Sequence, residues 1–189
     1  MMTEQEVLAL FEEHRAFLSG HFRLSSGLHS QRYLQCALIL QRPGIAERLC
    51  AELAARLKVG PVDAVVGPAL GGVVLSYELA RQLGARSLFT ERENETMTLR
   101  RGFSIAPGER VVIAEDVVTT GGSIGEVIAV VESHGGRAMA VASLIDRSEG
   151  IDFGVTFVSL AKVKIETYSQ DACPLCRAGQ PVVKPGSKR

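Results

Sequence analysis

Val111-Val112-Ile113-Ala114-Glu115-Asp116-Val117-Val118-Thr119-Thr120-Gly121-Gly122-Ser123 decides how this chain folds. The first four residues are apolar and β-prone, the pattern of a buried strand. Two acids and two valines follow, then a small polar loop. Residues 124 to 134 resume an apolar helical period, so a helix is expected there. The acids and the loop therefore share the carboxyl end of a strand and the amino end of a helix. In an open α/β sheet ligands bind at that edge. Glycines let a backbone approach a ligand, and free helix N–H groups favour phosphate. Thr119, Thr120 and Ser123 add hydroxyl donors, whereas Glu115 and Asp116 repel phosphate and suit hydroxyls or a divalent cation. The stretch describes a sugar phosphate, with an anion at one end and hydroxyls and Mg²⁺ at the other. The plainer alternative is a strand-to-helix turn with solvated acids. No Gly-Lys-Ser/Thr follows the glycines, and no G-x-G-x-x-G occurs, which sets aside nucleoside-triphosphate loops and dinucleotide fingerprints.

A second unit of the same kind lies upstream. Val62 to Val66 reads as a strand, Gly67-Pro68-Ala69-Leu70-Gly71-Gly72 as its loop, and Val73 to Leu83 as a helix capped by Gly84. In a parallel sheet both loops fall on one edge. Two anion cradles facing one crevice suit a ligand with phosphate at both ends. The alternative is that Gly71-Gly72 only permits close helix packing.

The stretch at 111–123 resembles the phosphoribosyl-pyrophosphate (PRPP) signature of the type I phosphoribosyltransferases. That resemblance implies an α/β fold with a mostly parallel sheet flanked by helices and a small N-terminal hood. It implies that Glu115 and Asp116 are catalytic and meet the ribose hydroxyls near Mg²⁺. Val117, Val118, Thr119, Thr120, Gly121, Gly122 and Ser123 would hold the 5′-phosphate side of PRPP. Leu70, Gly71 and Arg92 would serve its pyrophosphate. Phe22, Leu24, Ser26, Gly27, Ser30 and Tyr33 resemble the hood of orotate phosphoribosyltransferases, with Tyr33 beside a planar base. Arg147 leaves the apolar strand Ala138–Ile145 at the ligand edge, where an Arg can grip a carboxylate bidentately. Alone it would more often pair with Asp146 or Glu149. In the resemblance Arg147 meets orotate, together with Thr119 and Tyr33. The implied reaction joins orotate and PRPP to give orotidine 5′-monophosphate and pyrophosphate, in pyrimidine biosynthesis. The chain departs from the pattern at Ser25 and Gly71, where many orotate enzymes carry Lys. It departs again in the stretch Thr90 to Gly102, which lacks Lys and His. A purine phosphoribosyltransferase and a PRPP-sensing regulator that binds nucleic acid are the competing functions.

The rest of the chain bounds this reading. It has 189 residues, enough for one core and a small flap. Apolar residues make up 46%, and 21 basic side chains balance 21 acidic ones, which argues against nucleic acid as a partner. No apolar run reaches membrane-spanning length and no secretory pattern is seen, so no membrane partner and a cytoplasmic location are expected. A homodimer is implied by the resemblance. Thr3 to Glu6 is a capping box opening a helix over residues 4–18, ended by Ser19-Gly20. Short strands flank a Ser-Ser-Gly turn, and Pro43 to Lys58 is helical. Arg86 to Phe89 is a short strand. Thr90 to Gly102 shows no steady period and is expected to be a mobile lid, with a hairpin at Met97–Ile105 as the alternative. A strand at Val155–Leu160 precedes a short irregular tail, 164–189. The hood is placed at about residues 19–40 with the tail, and the core at about 43–160. Cys36 and Cys50 read as inert core residues. Cys173-Pro-Leu-Cys176 has metal-knuckle spacing, but no second Cys pair accompanies it. Zinc at Cys173 and Cys176 would then need a site shared between two subunits. Otherwise the pair is structural or redox-sensitive.

Overall fold

The computed structural model describes residues 1–24 and 26–185; Ser25, noted in the sequence, lies outside them. The capping box at Thr3 forms: the Glu6 amide donates to Thr3 Oγ1 at 3.2 Å, and the Thr3 amide donates to Glu6 Oε2 at 2.7 Å. It opens α1, Glu4–Glu13. The helix stops five residues short of the expected end. Arg15 turns into the left-handed region (φ +55°), and the Gln35 amide donates to the Ala16 carbonyl at 2.8 Å. Strand pairing thus claims the residues that the apolar period had extended into the helix. β1, Phe17–Arg23, and β2, His29–Leu34, form the resulting antiparallel hairpin.

A short α2, Ala37–Leu40, leads into α3, Pro43–Leu57, with Pro at its start and Lys58 in a left-handed cap. The first parallel unit follows as β3, Ala64–Pro68, and α4, Gly71–Leu83. β4 spans Arg86–Glu93 and β5 spans Thr96–Leu99. The expected irregular lid is therefore mostly strand. Thr90 to Glu93 pairs with Thr96 to Leu99, and Asn94 and Glu95 turn the chain at φ +49° and +67°. A two-residue loop with both φ values positive matches the twist of a hairpin, and Asn tolerates it well.

β6, Arg110–Val118, carries the quoted stretch into α5, Gly122–Ser133. β7, Arg137–Asp146, and β8, Thr156–Lys162, complete the large sheet. The tail is not wholly irregular. It contributes β9, Thr167–Tyr168, which pairs with β2, and one turn of helix, α6, Pro174–Arg177.

The large sheet runs β5-β4-β3-β6-β7-β8, and β5 alone is antiparallel in it. Phe11, Ile39, Leu49, Leu53, Leu75 and Leu79 fill the core on one face, from α1 to α4. Ile124, Val127 and Val131 of α5 pack with Met97 and Ile105 on the other. Each such fully buried aliphatic side chain contributes about 1.5–3 kcal/mol of transfer free energy. Coverage of both faces explains why the inner strands read as continuous apolar runs. No helix among the described residues is long and apolar enough to cross a membrane. β1, β2 and β9 form a separate three-stranded sheet.

Candidate active site

The chain leaves β3 toward β4 on one side and returns to β6 on the other. That reversal opens the sheet edge between the carboxyl ends of β3 and β6, the place where doubly wound folds bind ligands. A crevice of about 560 Å³ lies there. Tyr33 lines it from the end of β2, Gln35 and Cys36 from the segment that follows, Gly71 from the start of α4, Asp116 and Val117 from the end of β6, Thr119 from the loop after it, and Arg147 from just past β7.

Asp116 and Glu115 differ in setting because successive strand residues face opposite sides. The Asp116 carboxylate accepts from the Val117 amide at 3.0 Å. Burial pushes its pKa up. Glu115 is raised to about 7, first by burial and then by the Asp116 charge. Neither acid has an ion-pair partner among the described residues. Two half-buried carboxylates without a cation beside them are a donor set that fits a divalent metal with oxygen ligands. Cys36 is buried as expected, but it is not merely core: it lines the crevice together with Asp116.

The loop after β6 has the features of an anion cradle. Thr119 and Thr120 are exposed, and Gly121 caps α5 in a left-handed conformation (φ +72°) without a side-chain hydrogen bond. The first turn of α5 thus points its amides outward. A side chain at Gly121 would come within 2.8 Å of Phe153 Cε1, so glycine is required there twice over. Gly122 is exposed and Ser123 partly so. Val118 differs from its neighbours: its side chain is fully buried, and its carbonyl accepts from the Arg147 amide at 2.8 Å. Any ligand contact there falls to the backbone.

The upstream glycines divide their roles. A Cβ on Gly72 would sit 2.8 Å from Pro68 Cδ and 2.9 Å from the Ala114 carbonyl oxygen, so this residue lets α4 close onto the sheet. Gly71 instead faces the crevice, and Leu70 before it is 82% exposed. Arg92 stands apart from the other named residues. It lies on β4, pairs with Glu126 of α5 at 2.7 Å and donates to the Glu95 carbonyl at 2.7 Å. The hairpin directs it over α5, so the structure does not bring it to the crevice with the other named residues.

Arg147 does not pair with Asp146 or Glu149. Asp146 is drawn toward Lys162 on β8 at 3.6 Å and accepts from the Ser148 amide. Arg147 is left half-buried, with its Nε buried and without a hydrogen-bond partner among the described residues. Desolvation lowers its pKa. A half-buried guanidinium group so placed can pair with an anion. Across the crevice, Tyr33 packs on Phe22 with ring centroids 5.6 Å apart, and its hydroxyl pKa is raised by burial and then by Asp116. Gln35 and Cys36 were not signalled by the sequence, because only the return of the chain from β2 carries them to Asp116.

The family model of the phosphoribosyl transferase domain matches residues 39–159. The chain belongs to that family. The match spans the large sheet from α2 to β8, including both glycine loops. Relatives extend it over the whole chain. The chain is 53% identical over 189 residues to orotate phosphoribosyltransferase of Pelotomaculum thermopropionicum, covering all of both proteins. It is 54% identical to the enzyme of that name from Desulforamulus reducens, covering 100% of this chain and 99% of that one. Among solved structures, orotate phosphoribosyltransferase from Aeropyrum pernix superposes with a TM-score of 0.68 at 30% identity, over 83% of this chain and 93% of that one. The expected α/β architecture is the one this family member has.

Proposed function

We infer that this protein transfers the 5-phosphoribosyl group of PRPP to orotate, releasing pyrophosphate and forming orotidine 5′-monophosphate. One observation carries the reading. Tyr33, Asp116, Thr119 and Arg147, drawn from three separate parts of the chain, converge on a single crevice beside two glycine loops. The relatives named for the same activity support it.

In this reading Thr119, Thr120, Ser123 and the amides of 121–123 bind the 5′-phosphate. Glu115 and Asp116 hold the ribose hydroxyls and orient C1 toward the base. Leu70 and Gly71 present backbone to the pyrophosphate. Arg147 pairs with the orotate carboxylate, and Tyr33 covers the ring. Glu115 and Asp116 would also hold Mg²⁺ through its water ligands, and the ion supplies charge neutralisation for the departing pyrophosphate. The protein's own share is positioning, together with dipoles already in place when charge develops. Leu70, Val74 and Tyr77, spaced on one face of α4 and its approach, are exposed apolar residues at the rim. A second copy of the chain covering them completes the proposal as a homodimer.

The test is a substrate screen with PRPP and Mg²⁺ over orotate, uracil, adenine, guanine and xanthine. Turnover with orotate alone is expected. Turnover with a purine and none with orotate overturns the assignment.

A further inference from the structure

The pair Cys173 and Cys176 is not alone. His21 of β1 and His29 of β2 lie beside it, and one ligating atom from each of the four residues falls within 4.8 Å of the others. His21 Nε2 is 3.6 Å from Cys173 Sγ and 3.6 Å from Cys176 Sγ. His29 Nδ1 is 3.2 Å from Cys176 Sγ and 2.8 Å from His21 Nε2. Ligands at about 2.0–2.3 Å around a tetrahedral zinc ion lie roughly 3.3–3.8 Å from one another. Three of these four separations fall in or near that range, and the fourth needs only a small parting of two rings. His21, His29 and Cys173 are buried, and both cysteines are free thiols.

The surroundings favour a metal over a chance cluster. His21 Nδ1 lies 2.8 Å from the Gln180 carbonyl, which can only accept. That nitrogen therefore carries the proton, and Nε2 is left with a lone pair aimed at the cluster. A carbonyl behind a histidine is the usual means of fixing the tautomer of a zinc ligand. Among the described residues, the His29 ring and the two cysteine sulfurs make side-chain hydrogen-bond contacts only within this cluster.

We propose that His21, His29, Cys173 and Cys176 form a structural Zn²⁺ site within one chain. Four protein ligands close the coordination shell, so the site has no open position for catalysis. Its effect is mechanical. His21 and His29 belong to the β1–β2 hairpin, and the cysteines belong to the tail around α6. The metal ties the tail to the sheet that also carries Tyr33. Zinc binding releases the thiol protons of both cysteines and uses neutral imidazoles, leaving the cluster with no net charge, which suits its burial.

The experiment is metal analysis of untagged protein purified in zinc-containing medium, followed by Co²⁺ addition to protein stripped by a chelator. One zinc per chain and the visible bands of tetrahedral thiolate-bound cobalt are expected. Cys176→Ser and His29→Ala should each lower bound zinc at least tenfold. Should those variants fail to fold, stripping and reloading the wild-type chain still decides: the stripped form should lose thermal stability and regain it with zinc. Zinc below about a tenth of an equivalent with no cobalt spectrum overturns the proposal. So does a Cys173–Cys176 disulfide in protein purified without reductant. All these readouts are independent of which base the crevice takes.

Discussion

A Cβ placed on Gly71 would lie 2.7 Å from Asp116 Oδ1 and 3.0 Å from Asp116 Cγ. The glycine of one loop thus makes room for the acid of the other. A side chain at this position, as Lys in many orotate enzymes, must share that space or displace the carboxylate. Gly71→Ala is expected to shift Asp116 and lower kcat/KM for PRPP at least tenfold, about 1.4 kcal/mol of transition-state stabilisation. Steady-state kinetics with PRPP varied would check it; an unchanged value would show that Asp116 turns aside without cost.

Glu115 makes the native state depend on pH. Its folded pKa of about 7 stands above the ordinary 4.5, so folding takes up a proton between those values. Its contribution is therefore fully present below pH 4.5 and is lost as pH rises through 7. Glu115→Gln removes that loss. The variant should be more stable than wild type at pH 8 by about 1–3 kcal/mol, with little difference at pH 4.5, and it should be nearly inactive. Thermal melts at the two pH values without Mg²⁺ test the sign.

Arg147 is the specificity prediction. Arg147→Ala should raise the orotate KM and lower kcat/KM by roughly 10- to 150-fold, the range of a charge-assisted hydrogen bond worth about 1.5–3 kcal/mol. The KM for PRPP should stay nearly constant. Arg147→Lys should recover little, because a point charge does not reproduce the planar fork. Equal losses for both substrates would assign Arg147 to structure instead.

Gly72 supports the fold rather than the chemistry. Gly72→Ala forces a methyl group against Pro68 and the Ala114 carbonyl, both held by the sheet. Overpacking of this kind costs about 1–3 kcal/mol. A fall of several degrees in Tm is the expected calorimetric result.

Much of this was readable from local pattern. A strand that ends in Glu115-Asp116 and a loop that opens a helix need only the neighbouring dozen residues, and the dihedral preferences of glycine, threonine and valine act within that span. The buried parallel sheet followed from apolar runs alternating with helical periods. Arg86 to Phe89 was legible as a strand, but the pairing of Thr90–Glu93 with Thr96–Leu99 was hidden because its turn, Asn94-Glu95, lacks the glycine that usually marks such loops, and its strands are charged on the exposed face. The end of α1 was hidden because strand pairing with Leu34, not helix propensity, claims Phe17.

The sequence by itself determined the class of fold and the chemical character of the two loops, since both rest on interactions between residues close along the chain. Tertiary structure alone decided which side chains meet. Arg147 is free to face the crevice because Asp146 turns to Lys162 on the adjacent strand, a matter of register between β7 and β8. His21 reaches Cys173 across 152 positions because the tail folds back onto the first hairpin. Residue order does not specify such distances; they are set by how strands pair and how sheets pack, and the energy of that packing is shared across the whole chain.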